Sequence, residues 1–491
     1  MSRTLQAVRE AAIDGRLRNV IYRQSQLEKL QKVFVENAEA AEKAIRKDSG
    51  NSNSEAAVEF ILTLQAIKAY YETLDETEAL RSEYALARGE DAAGRQDGIG
   101  IVYIVPTNYT LFYSVVVATS AAIAAGNCVV IEFRTPLQEL PLLLQKLLKI
   151  ALDPSTVEFV TSRASDDDLG PNHIRVIQNN TTAADQQPLL PTIYSPLISL
   201  PESRVVAIVD RGVDFANTAA ALVTARFGFG GNSPYAPDVV LVHEYVKKEF
   251  LIAVVEEMVK FTANGSVLKP VEQERAEHVK RLLESGQKSG EIQVTSSTIR
   301  GSVYEVKDRN TEVLRNKING TSLVVLGVRS LDDAINLANQ SGNLLASYIW
   351  AAPTSAKYLS QFVQTQASFV NQVPLEFLVG PAAPRFSFID RSLRYPVKLL
   401  SAPHAEYATR HPNSDFVHKC LQDTDTRGIT KTLKEISVPL SPKSVRSDGG
   451  QIGFFEQGIF IGLGIFGIPT VLTIGALGFY GIRIATRWVR Y

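Results

Sequence analysis

The chain has 491 residues, 45% of them hydrophobic and 21% charged, and a formal net charge of −1. It is long enough for several domains with sizeable cores. Without the basic excess that a phosphate backbone demands, nucleic acid is set aside as a partner. Two cysteines, Cys128 and Cys420, and six scattered histidines exclude a disulfide framework and a zinc site, and they point to a reducing compartment.

In chain order, Met1 to Arg46 reads as amphipathic helix with no uninterrupted apolar core, so it does not resemble a signal peptide. Arg3, Arg9, Arg16 and Arg18 would suit a transit peptide, but Glu10, Asp14 and Glu28 interrupt that pattern. Leu27, Leu30, Val33 and Phe34 recur near the 3.6 period, and a turn around Lys47 to Gly50 precedes a second helical run from about Ser54 to Ser82. Gly98 to Val105 predicts a buried strand, Ser114 to Ala125 a small-residue helix and Asn127 to Ile131 another strand. Further strands are expected at Val157–Val160, Ile174–Ile177, Val205–Val209 and Val239–Val242. Thr321–Leu326, Ser330–Gln340 and Ala346–Trp350 form another strand, helix and strand, and a helix to Ala367 leads to a strand at Ser368–Asn371. Such alternation predicts an α/β fold with largely parallel sheets.

Beyond about Pro403 the composition turns polar, with Pro412, Pro439 and Pro442, and reads as a linker with at most short helices. Gly458 to Ile482 then carries no charged side chain and is bounded by Glu456 and by Arg483, Arg487 and Arg490. A run of this length spans a bilayer core with some tilt. The alternative is a buried hairpin of the soluble domain. Tyr480 and Trp488 suit an interfacial belt, and Gly458-x-x-x-Gly462 suits helix pairing. The expectation is a tail anchor with the main domain cytosolic, on endoplasmic reticulum, peroxisome or mitochondrial outer membrane. Three arginines after the span run mildly against the positive-inside rule.

Several spaced motifs together resemble the aldehyde dehydrogenase superfamily, especially its membrane-anchored fatty-aldehyde branch. Gly100-x-Val102-x-x-x-Pro106-Thr107-Asn108-Tyr109 is similar to the family's G-V-x-x-I-x-P-W-N-Y-P, and Ala124 to Val130 to its A-A-G-N-x-V-V. Ala225 to His243 resembles the segment F-x-N-x-G-Q-x-C-x-A-P-D-Y-V-L-V. Asn343 to Tyr348 resembles the unit ending in P-L-A-L-Y-V, and Arg385-Phe386-Ser387-Phe388 through Leu400 the K-F-S-F closing stretch. The resemblance implies two α/β, Rossmann-like domains, a small oligomerisation flap and a C-terminal transmembrane helix. On that template, residues 1–210 form an NAD-domain-like region with N-terminal helices and 211–375 a catalytic-domain-like region. Residues 376–402 form the flap, 403–457 the linker and 458–482 the span.

The same alignment implies a degenerate site. Pro234 falls where the family has its nucleophilic cysteine, and proline supplies no nucleophile. Ser199 falls at the general-base glutamate and cannot deprotonate water or a thiol at neutral pH. Asn108 maps to the oxyanion donor, with a plain turn after a strand as the alternative. At the cofactor, Glu132 replaces the ribose-binding lysine of V-x-K-P-S-E, and Lys317 replaces the glutamate of E-I-F-G-P. The G-S-T-x-x-G loop becomes Gln178 to Ala184, with no glycine between Pro171 and Arg211. Glu202 as a displaced base and Ser233 as a substitute nucleophile are set aside for want of reach and partners.

Neither NAD nor NADP is therefore expected, although the resemblance alone implies one of them. The leading expectation is a membrane-anchored pseudoenzyme with a binding, scaffold or regulatory role, an aldehyde-like or lipid-like ligand and a homodimeric state. Two alternatives stay open: a divergent aldehyde-modifying oxidoreductase of lipid or specialised metabolism, and a structural membrane protein with no ligand pocket.

Overall fold

The computed structural model describes residues 3–134, 138–179, 194–263, 274–340, 342–422, 426–440 and 454–488. They divide into two compact units, 1–409 and 410–491.

In the first unit the N-terminal helices are α1 (Arg3–Ile13), α2 (Val20–Glu36), α3 (Ala38–Ser49), α4 (Asn53–Glu72) and α5 (Glu76–Glu83). The run expected as continuous helix to Arg46 breaks after α1, where Gly15 takes φ +68°, and again at Asn37, which caps α2. The Ser52 hydroxyl and the Glu55 carboxylate form a capping box that starts α4 one residue before the sequence expectation.

Among the described residues fourteen strands follow: β1 (Gln96–Gly98), β2 (Ile101–Val105), β3 (Cys128–Glu132), β4 (Val157–Val160), β5 (His173–Ile177), β6 (Leu197–Ile198), β7 (Val205–Val209), β8 (Val239–His243), β9 (Ile292–Thr298), β10 (Gly301–Val306), β11 (Ser322–Val328), β12 (Ala346–Trp350), β13 (Ser368–Val370) and β14 (Ser401–Pro403). A five-stranded parallel sheet has the order β4-β3-β2-β5-β6. A seven-stranded sheet runs β13-β12-β7-β8-β11-β10-β9, parallel except for β9 against β10. Strands β1 and β14 make a small antiparallel pair. Every residue of β2, β3, β5, β7, β8 and β12 is buried. Helices on both faces of a parallel sheet turn its strands into continuous apolar runs of this kind.

Three details depart from the sequence expectation. Strand β7 pairs with β8 and β12, so the change of sheet falls before Val205 rather than at residue 210. The β9–β10 hairpin is not among the sequence expectations, because Gln293, Val294, Thr295 and Ser297 are exposed and leave no apolar run to read. The segment expected as a flap is partly core: Val379, Ala382, Ala383, Tyr395 and Leu400 are buried, while Phe386 and Phe388 are 86% and 96% exposed.

Helix α6 (Leu111–Ala125) is buried along its whole length, and its N-cap residue Thr110 makes no side-chain cap. The cap comes from α4, where the Glu59 carboxylate accepts the Tyr113 N–H at 3.3 Å through Oε1. Glu59 is 1% exposed, and its Oε2 has no hydrogen-bond partner among the described residues. Burial pushes this carboxyl up to about 7, against the pull of the Tyr113 and Phe112 N–H groups.

In the second unit, short helices at Ser414–Leu421 and Thr426–Ile436 precede a helical stretch from Phe454 to Trp488 with a π-helical turn at Leu463–Gly467. Within it Gly458–Ile482, 25 residues of mean hydropathy 2.1 and unburied, is long and apolar enough to cross a membrane.

The raised carboxyl of Glu59 gives the fold a pH dependence of known sign. The folded state holds the proton more tightly than the unfolded chain, so stability falls as pH rises from the ordinary carboxylate range and levels off above about 7. Glu59→Gln is expected to match the wild type near pH 5 and to exceed it at pH 8 by up to about 3 kcal/mol. Thermal melts across that range check this; parallel curves for the two proteins would refute it.

Candidate functional site

The loop between the helix Phe215–Phe227 and β8 carries the segment that resembles the nucleophile motif. It opens with three successive left-handed residues, Phe229, Gly230 and Gly231 at φ 52°, 64° and 69°. Phe229 is held in this unfavourable region by its N–H, which donates to Glu55 Oε1 at 2.6 Å. Gly231 has a second reason to lack a side chain, since a Cβ there would run into the Gly320 carbonyl. Ser233, Pro234, Tyr235 and Ala236 then descend, all buried, to Asp238.

Asp238 has no solvent exposure and lies at the centre of a packed ionic cluster. Its Oδ2 accepts the Val205 N–H at 2.7 Å and the Lys317 ammonium at 3.2 Å, and its Oδ1 accepts the Ile318 N–H at 2.9 Å. Arg226, also without exposure, brings Nη1 to 3.6 Å from Oδ1. Its guanidinium donates to the carbonyls of Gly320, Pro237 and Gly231. Lys317 completes the set by donating to the Pro234 carbonyl at 2.6 Å. Burial pushes Arg226 down to about 10 and lowers Lys317 as well, with Asp238 opposing both shifts.

Aromatic packing closes the other side of the loop. Tyr235 lies 5.4 Å from Phe377, and its hydroxyl accepts the Ala383 N–H at 3.0 Å. Arg394 sits over both rings and donates to the carbonyls of Val379 and Pro381. The Tyr348 hydroxyl donates to the Tyr235 carbonyl at 2.8 Å. Ser199, 1% exposed, donates its hydroxyl to the Ala382 carbonyl at 2.7 Å and bridges to Pro384. Ser233 lies against Tyr109, and Glu202 is exposed.

The remaining candidates lie at the C-terminal edge of the five-stranded sheet. In that sheet β2 and β5 are neighbours, and from β2 the chain winds outward through β3 and β4 on one side and β5 and β6 on the other. A switch point of this kind leaves a crevice beyond the strand ends. A pocket of about 210 Å³ occupies it, lined among others by Pro106, Asn108, Glu132, Phe133, Arg134 and Asn179. Asn108 is exposed there. Glu132 is 2% exposed and accepts from the Tyr103 hydroxyl and from Arg134 Nε, each at 2.6 Å. The structure therefore groups Asn108 with Glu132 in the pocket and Pro234 with Lys317 in the ionic cluster. Pro234, Ser199 and Lys317 do not line the pocket. Asn180 to Ala184, the rest of the expected phosphate loop, lie outside the described residues.

Arg226, Asp238 and Arg394 were not singled out from sequence. Asp238 had a signal in the A-P-D of its motif, and Arg226 had one in being a lone cation at the end of the apolar run Ala219–Ala225. Arg394 had none.

With this geometry in hand, the comparisons identify the family. The sequence model of the Aldehyde dehydrogenase family matches residues 2–170 and 201–378, most of the chain, and the protein belongs to that family. Relatives include Aldehyde dehydrogenase family 3 member A2 of Mus musculus, 24% identical over 373 residues that cover 72% of this chain and 75% of the relative. Family 3 member B1 of Homo sapiens is 25% identical over 375 residues, covering 71% and 77%. Among solved structures, Staphylococcus aureus AldH in a substrate-bound state superposes with a TM-score of 0.66 at 17% identity, covering 86% of this chain and 99% of that one. A mutant of Pseudomonas syringae aldehyde dehydrogenase C in complex with NAD+ and octanal gives 0.65 at 18%, covering 83% and 88%. The aldehyde dehydrogenase fold and the resemblance to the fatty-aldehyde branch are thus borne out. The family match is interrupted at 171–200, the interval that holds Gln178 to Ala184 and Ser199.

The cluster makes a ranked prediction. Asp238→Ala strips two buried cations of their counter-charge and leaves two backbone N–H groups unpaired, which costs at least ~3 kcal/mol. Lys317→Met removes one cation and leaves Asp238 with Arg226 and both N–H donors, so it costs less. Denaturant midpoints of the detergent-solubilised variants check the order, and equal losses would show that Asp238 does not organise the loop.

Proposed function

We propose that this protein is a membrane-anchored member of the aldehyde dehydrogenase family that does not oxidise aldehydes with NAD or NADP and acts as a binding, scaffold or regulatory subunit. The observation that carries the reading is the Lys317–Pro234 hydrogen bond inside the buried Asp238 cluster. At the position aligned with the nucleophile the backbone carbonyl is tied to an ammonium, and the volume beside it is filled by Tyr235, Phe377 and Arg394. Pro234 has no thiol, and Ser199 spends its hydroxyl on a carbonyl and has no base function.

The residues at the crevice do not fit a dinucleotide. Glu132 presents a carboxylate already engaged by Tyr103 and Arg134, where the resemblance implies a lysine. Away from the crevice, Lys317 points into the core where the resemblance implies a glutamate. A volume of 210 Å³ falls below the roughly 300–1,000 Å³ of ordinary small-molecule sites. The pocket favours a binding role over the purely structural reading. The Gly458–Ile482 span supports a tail anchor with the main domain in the cytosol, and the exposed Phe386 and Phe388 support pairing of two copies through residues 385–392.

Calorimetric titration with NAD or NADP into the low-millimolar range is expected to give no saturable heat. Pro234→Cys is expected to leave NAD reduction with a long-chain aldehyde at background, since the new thiol gains neither a base nor a hydride acceptor. Turnover by that single variant would overturn the proposal. For the oligomer, light scattering in detergent is expected to return a dimer mass that Phe386→Ser with Phe388→Ser reduces to monomer; a monomeric wild type would refute the pairing.

A further inference from the structure

The Thr426–Ile436 helix carries an apolar stripe that is left exposed among the described residues of its unit. Ile429, Leu433 and Ile436 recur at i, i+4 and i+7, within about 60° of one another around an α-helix. They are 40%, 63% and 76% exposed. Lys431, Lys434 and Glu435 occupy the opposite arc and are exposed too. The pattern continues on both sides. In the Ser414–Leu421 helix Val417 and Leu421 are 48% and 83% exposed one turn apart, and beyond Ile436 the side chains of Val438 and Leu440 are 66% and 100% exposed.

An exposed stripe alone does not say what covers it; two further observations do. The first is continuity. Gly458, where the 25-residue apolar helix starts, follows Ile436 by 458 − 436 = 22 residues, which extend to at most about 75 Å. Once that span is inserted, the stripe is confined near a bilayer, and confinement of this kind raises the effective concentration to the millimolar range. The second is charge. Two lysines against one glutamate make the polar arc cationic, and a helix only about 10–12 Å across keeps that arc within roughly a Debye length of the headgroups beneath it. A basic amphipathic helix with a narrow apolar stripe and a charged opposite face suits an anionic lipid surface.

We propose that the Thr426–Ile436 helix lies in the plane of an anionic membrane surface, with Ile429, Leu433 and Ile436 in the boundary between headgroups and acyl chains and Lys431 and Lys434 toward the aqueous side. The inference rests on the tail-anchor reading, because three apolar side chains hold only marginally by themselves and need the anchor's tether. It assigns the polar linker a second membrane contact, which holds the chain between the folded domain and the span against the surface.

The test uses the full chain reconstituted in vesicles of phosphatidylcholine with a minority of phosphatidylserine. Cys128 is buried, so on a Cys420→Ser background a thiol-reactive, polarity-sensitive fluorophore reports from Leu433→Cys or from Lys431→Cys. Lipids brominated in the acyl chains are expected to quench the label at 433 several-fold more than the label at 431, iodide in the buffer to do the reverse, and the contrast to shrink without phosphatidylserine. Equal quenching at both positions would overturn the proposal. So would a label at 433 shielded from both quenchers, which would mean that the stripe packs on protein. Flotation with the vesicles separates this result from that of the anchor. A protein that floats but shows no contrast sinks this proposal alone, and one that does not float sinks both.

Discussion

A carboxylate with no access to water is tolerable only where protein groups replace its hydration, and Asp238 organises its surroundings on that condition. Its two oxygens take N–H groups from two different segments, Val205 at the head of β7 and Ile318 after the Glu312–Arg315 turn, together with one cation from the latter segment, Lys317, and one from a third, Arg226. One side chain thereby joins the entrance of β7, the entrance of β8, the tail of the Phe215–Phe227 helix and the approach to β11. The left-handed turn at 229–231 follows, because the Arg226 guanidinium occupies the space beneath it and gathers the carbonyls of Gly231 and Gly320. Pro234 is compatible with this arrangement in a plain sense. Its carbonyl is the group in use, and proline forfeits only an N–H.

The legible parts of the sequence were those where burial is continuous. Val205–Val209 and Ala346–Trp350 were read to the residue, since a short, mostly apolar run between turns fits a buried strand and little else. The β9–β10 hairpin escaped because its side chains face water over most of its length, and the assignment of β7 to its sheet escaped because pairing order is not a local property. In the site the resemblance reads Lys317 as a charge reversal, and its contacts are not legible. That it turns inward to Asp238 and the Pro234 carbonyl depends on one loop about 80 residues away in sequence, which no local pattern encodes.

The two sheets of the first unit bear differently on function. The five-stranded sheet keeps the crevice that a parallel switch point produces, because the crevice is a consequence of strand order and survives any change of the side chains that line it. Glu132 sits at the end of β3 with its oxygens satisfied by Tyr103 and Arg134, at little cost to the sheet. Beside Pro234 the demand is stricter, because the buried cations Arg226 and Lys317 must be neutralised and hydrogen-bonded within the fold, and Asp238 with the carbonyls of Gly231, Pro234, Pro237 and Gly320 does so.

Glu59 shows the same rule with incomplete compensation. Its carboxylate caps α6 through one oxygen while the other stays unpaired, and the proton it retains near neutrality is how the protein limits the cost of that burial. Asp238 is compensated more fully: two backbone N–H groups, the Lys317 ammonium and the neighbouring Arg226 guanidinium meet it at the loop beneath Pro234, against the N–H groups of one helix N-terminus at α6. Helix α6 leads directly from the Asn108 turn, so the Tyr113 N–H that Glu59 caps lies two residues from Leu111, which lines the pocket.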